Sequence, residues 1–484
     1  MFPVFDRYGP FTDLAALNEW SGKPLRKSVR VNTLKISVKD FLAYGEKKGW
    51  QLSPVPWCKE AFFIDRPFVS AQGDNREALG RDLLHLLGGF YMQEAASMLP
   101  AELLQAEAGE SILDMSAAPG SKTTEISAMM QDKGVIIAND IQEKRLWTLK
   151  NAIHRSGVIN AIVTKKVGQW FAKHTTELFD RVLCDAPCTA QGTVRKDSDA
   201  LRYCSIESIE KMSRLQYQLL ESAIHSAKVG GRIVYSTCTL TPEENEGVIL
   251  GMLERFPDQI EVVDPRTLGL TDDEHFFDRA IEDSIRVQES DERSAVSGQL
   301  PLLRLWPQAY DTEGFFCAVL RKIAPTKNVE PMERVKFQEM ELPRSRKNEI
   351  SNFFEAQFGT GFLTESDRIF ERGEMLILAN EDVAHFPLPM QDYSLGIPFG
   401  KRLKDGRFLL DHEVASLRGH LATKNRLAVS DADLEKLLDA QAIECSTDLN
   451  GHVLIFYGDR CIGMGLAKDG HLKNNLPRWM VRFN

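Results

Sequence analysis

Between residues 111 and 264, short apolar runs alternate with helix-length segments. The runs Ser111–Met115, Val135–Asn139, Ala161–Thr164, Arg181–Cys184, Arg232–Ser236 and Ile260–Val263 predict strands. The longest helical pattern extends from Ile206 to Lys228 and carries Leu215, Leu219 and Ile224. Strand and helix taking turns in this way predict an α/β fold, with a mostly parallel sheet covered on both faces. A further apolar run, Gly314–Leu320, is expected to close the sheet as an antiparallel edge.

After Lys322 the pattern changes. Residues 324–349 are rich in Lys, Glu, Arg and Pro, with Pro325, Pro331 and Pro343, and read as a linker with some helix. From about residue 385 the apolar runs are short, as in His452–Tyr457, and are broken by Gly458, Gly463, Gly465 and Gly470, which predicts a small β-rich domain. The expected organisation is an N-terminal α+β accessory domain over 1–105, a catalytic domain over 106–323, a linking segment over 324–384 and a β-rich domain over 385–484.

Composition agrees with several domains. A chain of 484 residues exceeds one ordinary core, and 43% hydrophobic with 26% charged residues is the balance of a soluble globular protein. The start MFPVFDRYGP lacks a basic stretch followed by an apolar run, and no apolar run reaches the roughly 20 residues of a membrane helix. The expectation is a cytoplasmic protein with no membrane association. Eight cysteines in this length do not form a disulfide scaffold. Without a CxxC pair or HExxH, no metal is expected either.

The net charge of −10 argues against nucleic acid until it is located. Residues 265–300 alone hold 9 acidic against 4 basic side chains, whereas residues 1–105 hold 13 basic against 12 acidic and residues 401–484 hold 13 against 11. Basic faces therefore remain available at both ends. Lys23, Arg26, Lys27, Arg30, Arg195, Lys196, Lys401, Arg402, Lys404 and Arg407 are candidates for RNA contact, and each reads equally well as a solvated charge. Trp479 and Tyr457 could stack on bases, though core packing is the commoner use of such rings.

The first strand runs into Met115-Ser116-Ala117-Ala118-Pro119-Gly120-Ser121-Lys122-Thr123, whose small residues let backbone approach a bulky ligand at a helix start. Asp140 ends the next strand 20 residues after Gly120, where a carboxylate can accept from ribose hydroxyls. A P-loop would need GxxxxGK[ST] and a dinucleotide loop GxGxxG, and neither is present. S-adenosylmethionine (SAM) fits better than ATP or NAD.

Asp185-Ala186-Pro187-Cys188 and Ser236-Thr237-Cys238-Thr239 each follow a predicted core strand. If those strands are neighbours, both thiols face the crevice beyond the carboxyl ends of the sheet. Pro187 biases Ala186 away from helix. Paired thiols suit methylation of carbon 5 of a cytosine. A thiolate adding to carbon 6 makes carbon 5 nucleophilic, and a base then removes its proton so that the thiolate can leave. Asp185 could hold the base edge and favour protonation at N3, or simply cap the turn. Cys184, Cys204, Cys317, Cys445 and Cys461 read as small buried hydrophobes. A binding factor on this scaffold would not need the thiols, an amine methyltransferase would not use them, and a thiol–disulfide oxidoreductase would carry CxxC.

The motifs LDMSAAPGSKT at 113–123, Asp140, DAPC at 185–188 and STCTLTPEENE at 236–246 resemble the bacterial RsmB/RsmF (Sun) class of RNA cytosine-5 methyltransferases. RVNTLK at 30–35, YMQEAAS at 91–97 and Arg214-Leu215-Gln216 extend the resemblance over about residues 25–322. It implies SAM as cofactor, a Rossmann-like methyltransferase sheet, Cys238 as nucleophile and Cys188 as the group that assists proton removal and release. It also implies that Ser116, Ala117, Ala118, Pro119, Gly120, Ser121 and Lys122 line the cofactor, with Asp140 on the ribose and Asp185 between cofactor and cytosine. The ending GLAKDGHLKNNLPRW is similar to the RsmF branch, whose members carry a terminal PUA-like RNA-binding domain, and implies 16S rRNA of the small ribosomal subunit as partner. One position departs from the family. Where an acidic residue commonly meets the adenine amino group, this chain has Val167, so the adenine contact is expected to be apolar or through backbone.

Overall fold

The computed structural model describes residues 3–66, 79–271, 273, 275–282, 300–329 and 335–482. Its centre is a nine-stranded sheet. In spatial order the strands are Ile260–Val262, Phe315–Lys322, Ala227–Thr237, Phe179–Asp185, Ser111–Asp114, Val135–Asn139, Ala161–Thr164 and Ser394–Leu395, while Leu303–Leu305 pairs with Phe315–Lys322. The five strands from Ala227–Thr237 to Ala161–Thr164 are parallel.

The alternation of side chains explains why these runs are apolar throughout. Leu113, Ile137, Val182, Cys184, Ile233 and Tyr235 point to one face, beneath Leu219, Leu220 and Ile224 of the helix Ile206–Ser226. Ile112, Ile136, Leu183 and Val234 point to the other, beneath Leu99 and Leu103 of the helix Leu99–Leu104 and Ile126 of the helix Ser121–Met129. Strands buried on both faces have no polar side to show.

The run after Gly314 is antiparallel, as expected, but is not the edge. Phe315–Lys322 lies between Ala227–Thr237 and Ile260–Val262 and pairs antiparallel with both. The Ile260 strand is thus parallel to the Ala227 strand and one place removed, as a crossover through the helix Glu246–Arg255 requires, and the later segment fills the gap. Periodicity along the chain carries no information about such late insertion.

The N-terminal part is an antiparallel sheet in the order Gln51–Val55, Cys58–Arg66, Lys27–Val31, Phe90–Met92, with the helix Val38–Lys47. Two five-stranded sheets follow the catalytic core. One contains Met340–Glu341, Asp367–Arg372, Met375–Asn380, Ile397–Arg402 and Phe408–Leu410. The other contains Arg426–Ala428, Gly451–Tyr457, Arg460–Lys468, His471–Asn474 and Ile443–Glu444.

Hydrogen bonding does not respect a boundary at 384/385. Met375–Asn380 pairs with Ile397–Arg402 across it, and between them Ser394–Leu395 adds to the edge of the central sheet against Ala161–Thr164. The segment read as linker includes the helix Arg344–Phe358, whose Ile350, Phe354 and Phe358 recur every four residues and are buried. Its charged residues lie on the outer face and masked that stripe in a reading by composition. Pro331 and most of the acidic block over 265–300 lie outside the described residues. No helix among the described residues is long and apolar enough to cross a membrane.

Candidate active site

The chain enters the central sheet at Ser111–Asp114, lays two strands to one side and returns to the other with Phe179–Asp185. Strand order reverses there, and a crevice opens beyond the carboxyl ends. The loop after Asp114 is tied to both neighbouring strands, by Met115 N–H to Leu183 O at 3.0 Å and Ala117 N–H to Asn139 O at 2.7 Å. Gly120 has φ 107°, and a Cβ there would stand 2.8 Å from Ala152 Cβ. Only glycine lets the helix Ser121–Met129 begin so close to the helix Glu143–Ser156. No side chain caps this helix start, which leaves its N–H groups to an electron-rich ligand.

Asp140 is 2% exposed; its Oδ1 accepts from Gln142 N–H at 2.9 Å, while Oδ2 has no hydrogen-bond partner although Arg145 stands 3.1 Å away. An orphaned buried carboxylate oxygen calls for a donor, and ribose hydroxyls would supply one. The residues present therefore fit a nucleoside-bearing cofactor. At the ends of two adjacent strands, Ile141 and Val167 are 55% and 48% exposed, an apolar pair suited to the two sides of a flat ring. Sequence reasoning marked Val167 and missed Ile141, whose signal was an apolar residue directly after the strand-ending acid.

The two thiols meet. Asp185 and Ser236 are paired in register on adjacent parallel strands, and two or three residues further on Cys188 Sγ and Cys238 Sγ are 3.4 Å apart. Asp185 lies beside them, its Oδ1 accepting from Ser236 Oγ at 2.7 Å and its Oδ2 from Lys122 Nζ at 2.7 Å. Lys122, read as part of the cofactor loop, thus reaches across the crevice. Burial acts against its charge, but Asp185, Asp114 and Cys238 outweigh it and raise the ammonium's pKa. The hydrogen bond with Cys238, then burial, push the Cys188 thiol well above its usual range. Burial also pushes Asp114 up to about 7, although Thr123 donates to it at 2.7 Å.

Glu244 holds both thiol-bearing loops. It is fully buried and accepts from Thr189 N–H at 3.0 Å, from the Thr189 hydroxyl, from Thr241 Oγ1 at 2.8 Å and from Gln216 Nε2 at 2.8 Å. Gln216 also donates to Pro187 O at 2.9 Å, and Gly192 N–H to Cys238 O at 2.9 Å. Arg304, fully buried, clasps Glu246 at 2.6 Å and donates to Leu240 O at 2.8 Å. Sequence reasoning quoted Gln216 and Glu244 within motifs but gave them no task. It missed Arg304, whose signal was a charge inside the apolar run Leu302–Trp306.

Two candidates for RNA contact are structural instead. Arg30 is 2% exposed and donates to Gln93 Oε1, Ser121 O and Thr124 Oγ1. Arg195 is spent on Lys23 O, Pro24 O, Thr312 O and Asp311. A desolvated guanidinium held by three or four such bonds is turned inward and is not presented to phosphate. Lys27, Lys196, Lys401 and Lys404 are exposed, whereas Lys23, Arg402 and Arg407 pair with Glu19, Glu371 and Asp405, and Arg26 lies over the Phe63 ring. Trp479 is half-exposed, and Tyr457 donates to Asp431 at 2.8 Å.

Comparison with known proteins agrees with this layout. The family model described as 16S rRNA methyltransferase RsmB/F matches residues 101–321. The N-terminal domain of 16S rRNA methyltransferase RsmF matches residues 11–95, and the methyltransferase RsmF PUA domain matches residues 424–482. The chain is 36% identical over 469 residues to the ribosomal RNA small subunit methyltransferase F of Aeromonas salmonicida, covering 96% of this chain and 92% of that one. It is also 36% identical over 488 residues to the protein of the same name from Vibrio atlanticus, covering 97% and 94%. Among solved structures, a methyltransferase homolog protein from Pyrococcus horikoshii is 33% identical with a TM-score of 0.50, covering 66% of this chain and 98% of that one. The sheet, the PUA match and the near full-length relatives agree with the Rossmann-like fold and the resemblance read from the motifs. The chain belongs to the RsmB/F family of 16S rRNA methyltransferases.

Proposed function

We propose that the chain methylates carbon 5 of a cytosine in 16S rRNA of the small ribosomal subunit, in the cytoplasm, through a transient bond between Cys238 Sγ and carbon 6 of the base. The observation that carries this reading is the pair of sulfurs at 3.4 Å with unequal surroundings. The Lys122 ammonium, bonded to Asp185, also interacts electrostatically with Cys238. Cys188 keeps its proton because the hydrogen bond with Cys238, and then burial, raise its pKa. One sulfur is prepared as nucleophile and the other as a proton carrier.

SAM, when bound, supplies a methyl group on a sulfonium; the loop Ser116–Lys122, Asp140, Val167 and Asp185 would hold it. The cytosine must be unpaired or flipped to reach the crevice. Asp185, oriented by Ser236 and Lys122, faces the polar edge of the ring and favours the proton at N3. Bonding of Cys238 to carbon 6 gives carbon 5 its nucleophilic character and also ends the hydrogen bond that Cys188 makes with that sulfur. The first cause of the raised Cys188 pKa is thereby cancelled, and Cys188 can pass its proton to solvent and take the proton of carbon 5. Loss of that proton expels Cys238 as the thiolate. The names and profiles of the relatives support 16S rRNA as the substrate.

RNA carrying 5-fluorocytosine has no removable proton at carbon 5, so it is expected to trap a denaturation-resistant complex through Cys238. Peptide mapping of that complex, together with methylcytosine mapping of 16S rRNA from cells with and without the chain, tests the proposal. Attachment through Cys188 would reverse the assigned roles, and an unchanged methylation map would remove the substrate.

A further inference from the structure

Behind the cofactor helix lies a cluster of donors that the reaction does not use. Cys58 begins the strand Cys58–Arg66, Glu102 belongs to the helix Leu99–Leu104, and Glu125 to the helix Ser121–Met129. One ligand atom from each, Cys58 Sγ and two carboxylate oxygens, lies within 4.8 Å of the others. Cys58 is 2% exposed and Glu125 1%. Glu102 Oε1 and Glu125 Oε1 are buried and have no hydrogen-bond partner. The remaining oxygen of Glu125 is accounted for: Oε2 accepts from Gln93 Nε2 at 2.7 Å, with Arg30 at 3.8 Å. Both glutamates line a cavity of about 590 Å³ together with Arg30, Glu60 and Met129.

Glu102 and Glu125 each keep one buried oxygen without a hydrogen-bond partner beside a thiol, and Arg30 is the cation that stands against this cluster. We propose that Cys58, Glu102 and Glu125 bind one zinc ion, which fastens the N-terminal sheet to the helix that carries the cofactor loop. A thiolate with two carboxylates suits zinc and selects against magnesium and calcium, and the cavity lined by the two glutamates would admit a water as fourth ligand from their side. Binding exchanges the thiol proton of Cys58, and any proton carried by Glu102 or Glu125, for the metal and releases those protons to solvent; no electrons move. Arg30 connects the cluster to the first turn of the cofactor helix through Ser121 O at 3.2 Å and Thr124 Oγ1 at 2.9 Å. Spacing rules for zinc do not see such a site, because its donors come from three separate elements.

The test uses the full-length chain with Cys188→Ser and Cys238→Ser, so that the catalytic thiols cannot bind metal. After equilibration with zinc and desalting, elemental analysis is expected to find one zinc per chain. Cobalt(II) in its place should give a thiolate-to-metal charge-transfer band. Adding Cys58→Ser, or separately Glu125→Gln, should abolish both signals, and chelation should lower the thermal midpoint only of the parent that retains all three ligands. Zinc retention no greater than in the Cys58→Ser protein, or a cobalt spectrum without the thiolate band, overturns the proposal. If circular dichroism shows that Cys58→Ser does not fold, the thiolate band of the parent and its loss in Glu125→Gln decide the matter alone.

Discussion

At the level of one side chain, the crevice presents a valine at position 167. It stands 48% exposed at the end of the strand Ala161–Thr164, where it offers an adenine ring contact area but no acceptor. Val167→Asp would add a carboxylate able to accept from the exocyclic amine, a hydrogen bond of about 1 kcal/mol net. Titration calorimetry should show the Kd for SAM falling about fivefold. An unchanged affinity would mean that the adenine amine does not approach this side chain. The position was readable from sequence because the motif around it is linear. The thiols were readable only conditionally. Each lies just beyond a strand end, but that the two strands are neighbours is a property of the sheet, and which sulfur attacks came from the family resemblance. The structure adds that the two sulfurs lie 3.4 Å apart and that the Cys188 thiol is raised by its hydrogen bond with Cys238 and by burial.

Loops, not single residues, keep the sulfurs at their separation, and one carboxylate joins the loops. Glu244 accepts from Thr189, one residue past Cys188, and from Gln216 on the long helix, which itself holds Pro187. A carboxylate is the group for this place because every neighbour donates. Glu244→Gln turns one acceptor into an amide donor facing donors, and each buried group left unsatisfied costs about 1–3 kcal/mol. Small displacements of reacting groups are worth about 100-fold in rate. The methylation rate is therefore expected to fall about 100-fold, while SAM affinity by calorimetry stays within about twofold, because Glu244 makes none of its hydrogen bonds to the cofactor loop. Equal loss of both would show that Glu244 supports the fold in general. In sequence, an acid just before a helix looks like simple compensation of the helix dipole. Thr241 is near in sequence, but Thr189 and Gln216 come from separated segments, so nothing local announced the task of joining the loops. The strands themselves were legible, since apolar runs buried on two faces admit few other readings.

The arrangement of whole sheets was the least legible level. Composition divided the chain near 384/385, where the structure instead threads Ser394–Leu395 onto the edge of the catalytic sheet. Lys35 shows how closely the parts are joined: its ammonium donates to Leu87 O and Arg155 O, both at 2.8 Å, and to Ser416 Oγ at 3.1 Å. Beside this joint the helix His412–Arg418 packs between the two C-terminal sheets, and His412 Nδ1 is buried there without a hydrogen-bond partner. Burial first, and Lys35 second, lower the His412 pKa to about 3. Unfolded, the imidazole returns to about 6.5, so between these values the unfolded chain takes up a proton that the folded chain refuses. The stability present above the unfolded pKa is lost as pH falls, by about 1.4 kcal/mol per unit and about 2 kcal/mol by pH 5. Buried carboxyls such as Asp132, raised to about 7 by burial, act in the opposite sense, so the pH profile of the whole protein mixes both. Comparison with His412→Asn, which cannot titrate, isolates the histidine. Between pH 7 and 5 its thermal midpoint should drop less than the parent's, by the equivalent of about 2 kcal/mol. Parallel curves would mean that the folded protein lets His412 protonate freely, and the C-terminal helix would then not be seated against the Lys35 joint in solution.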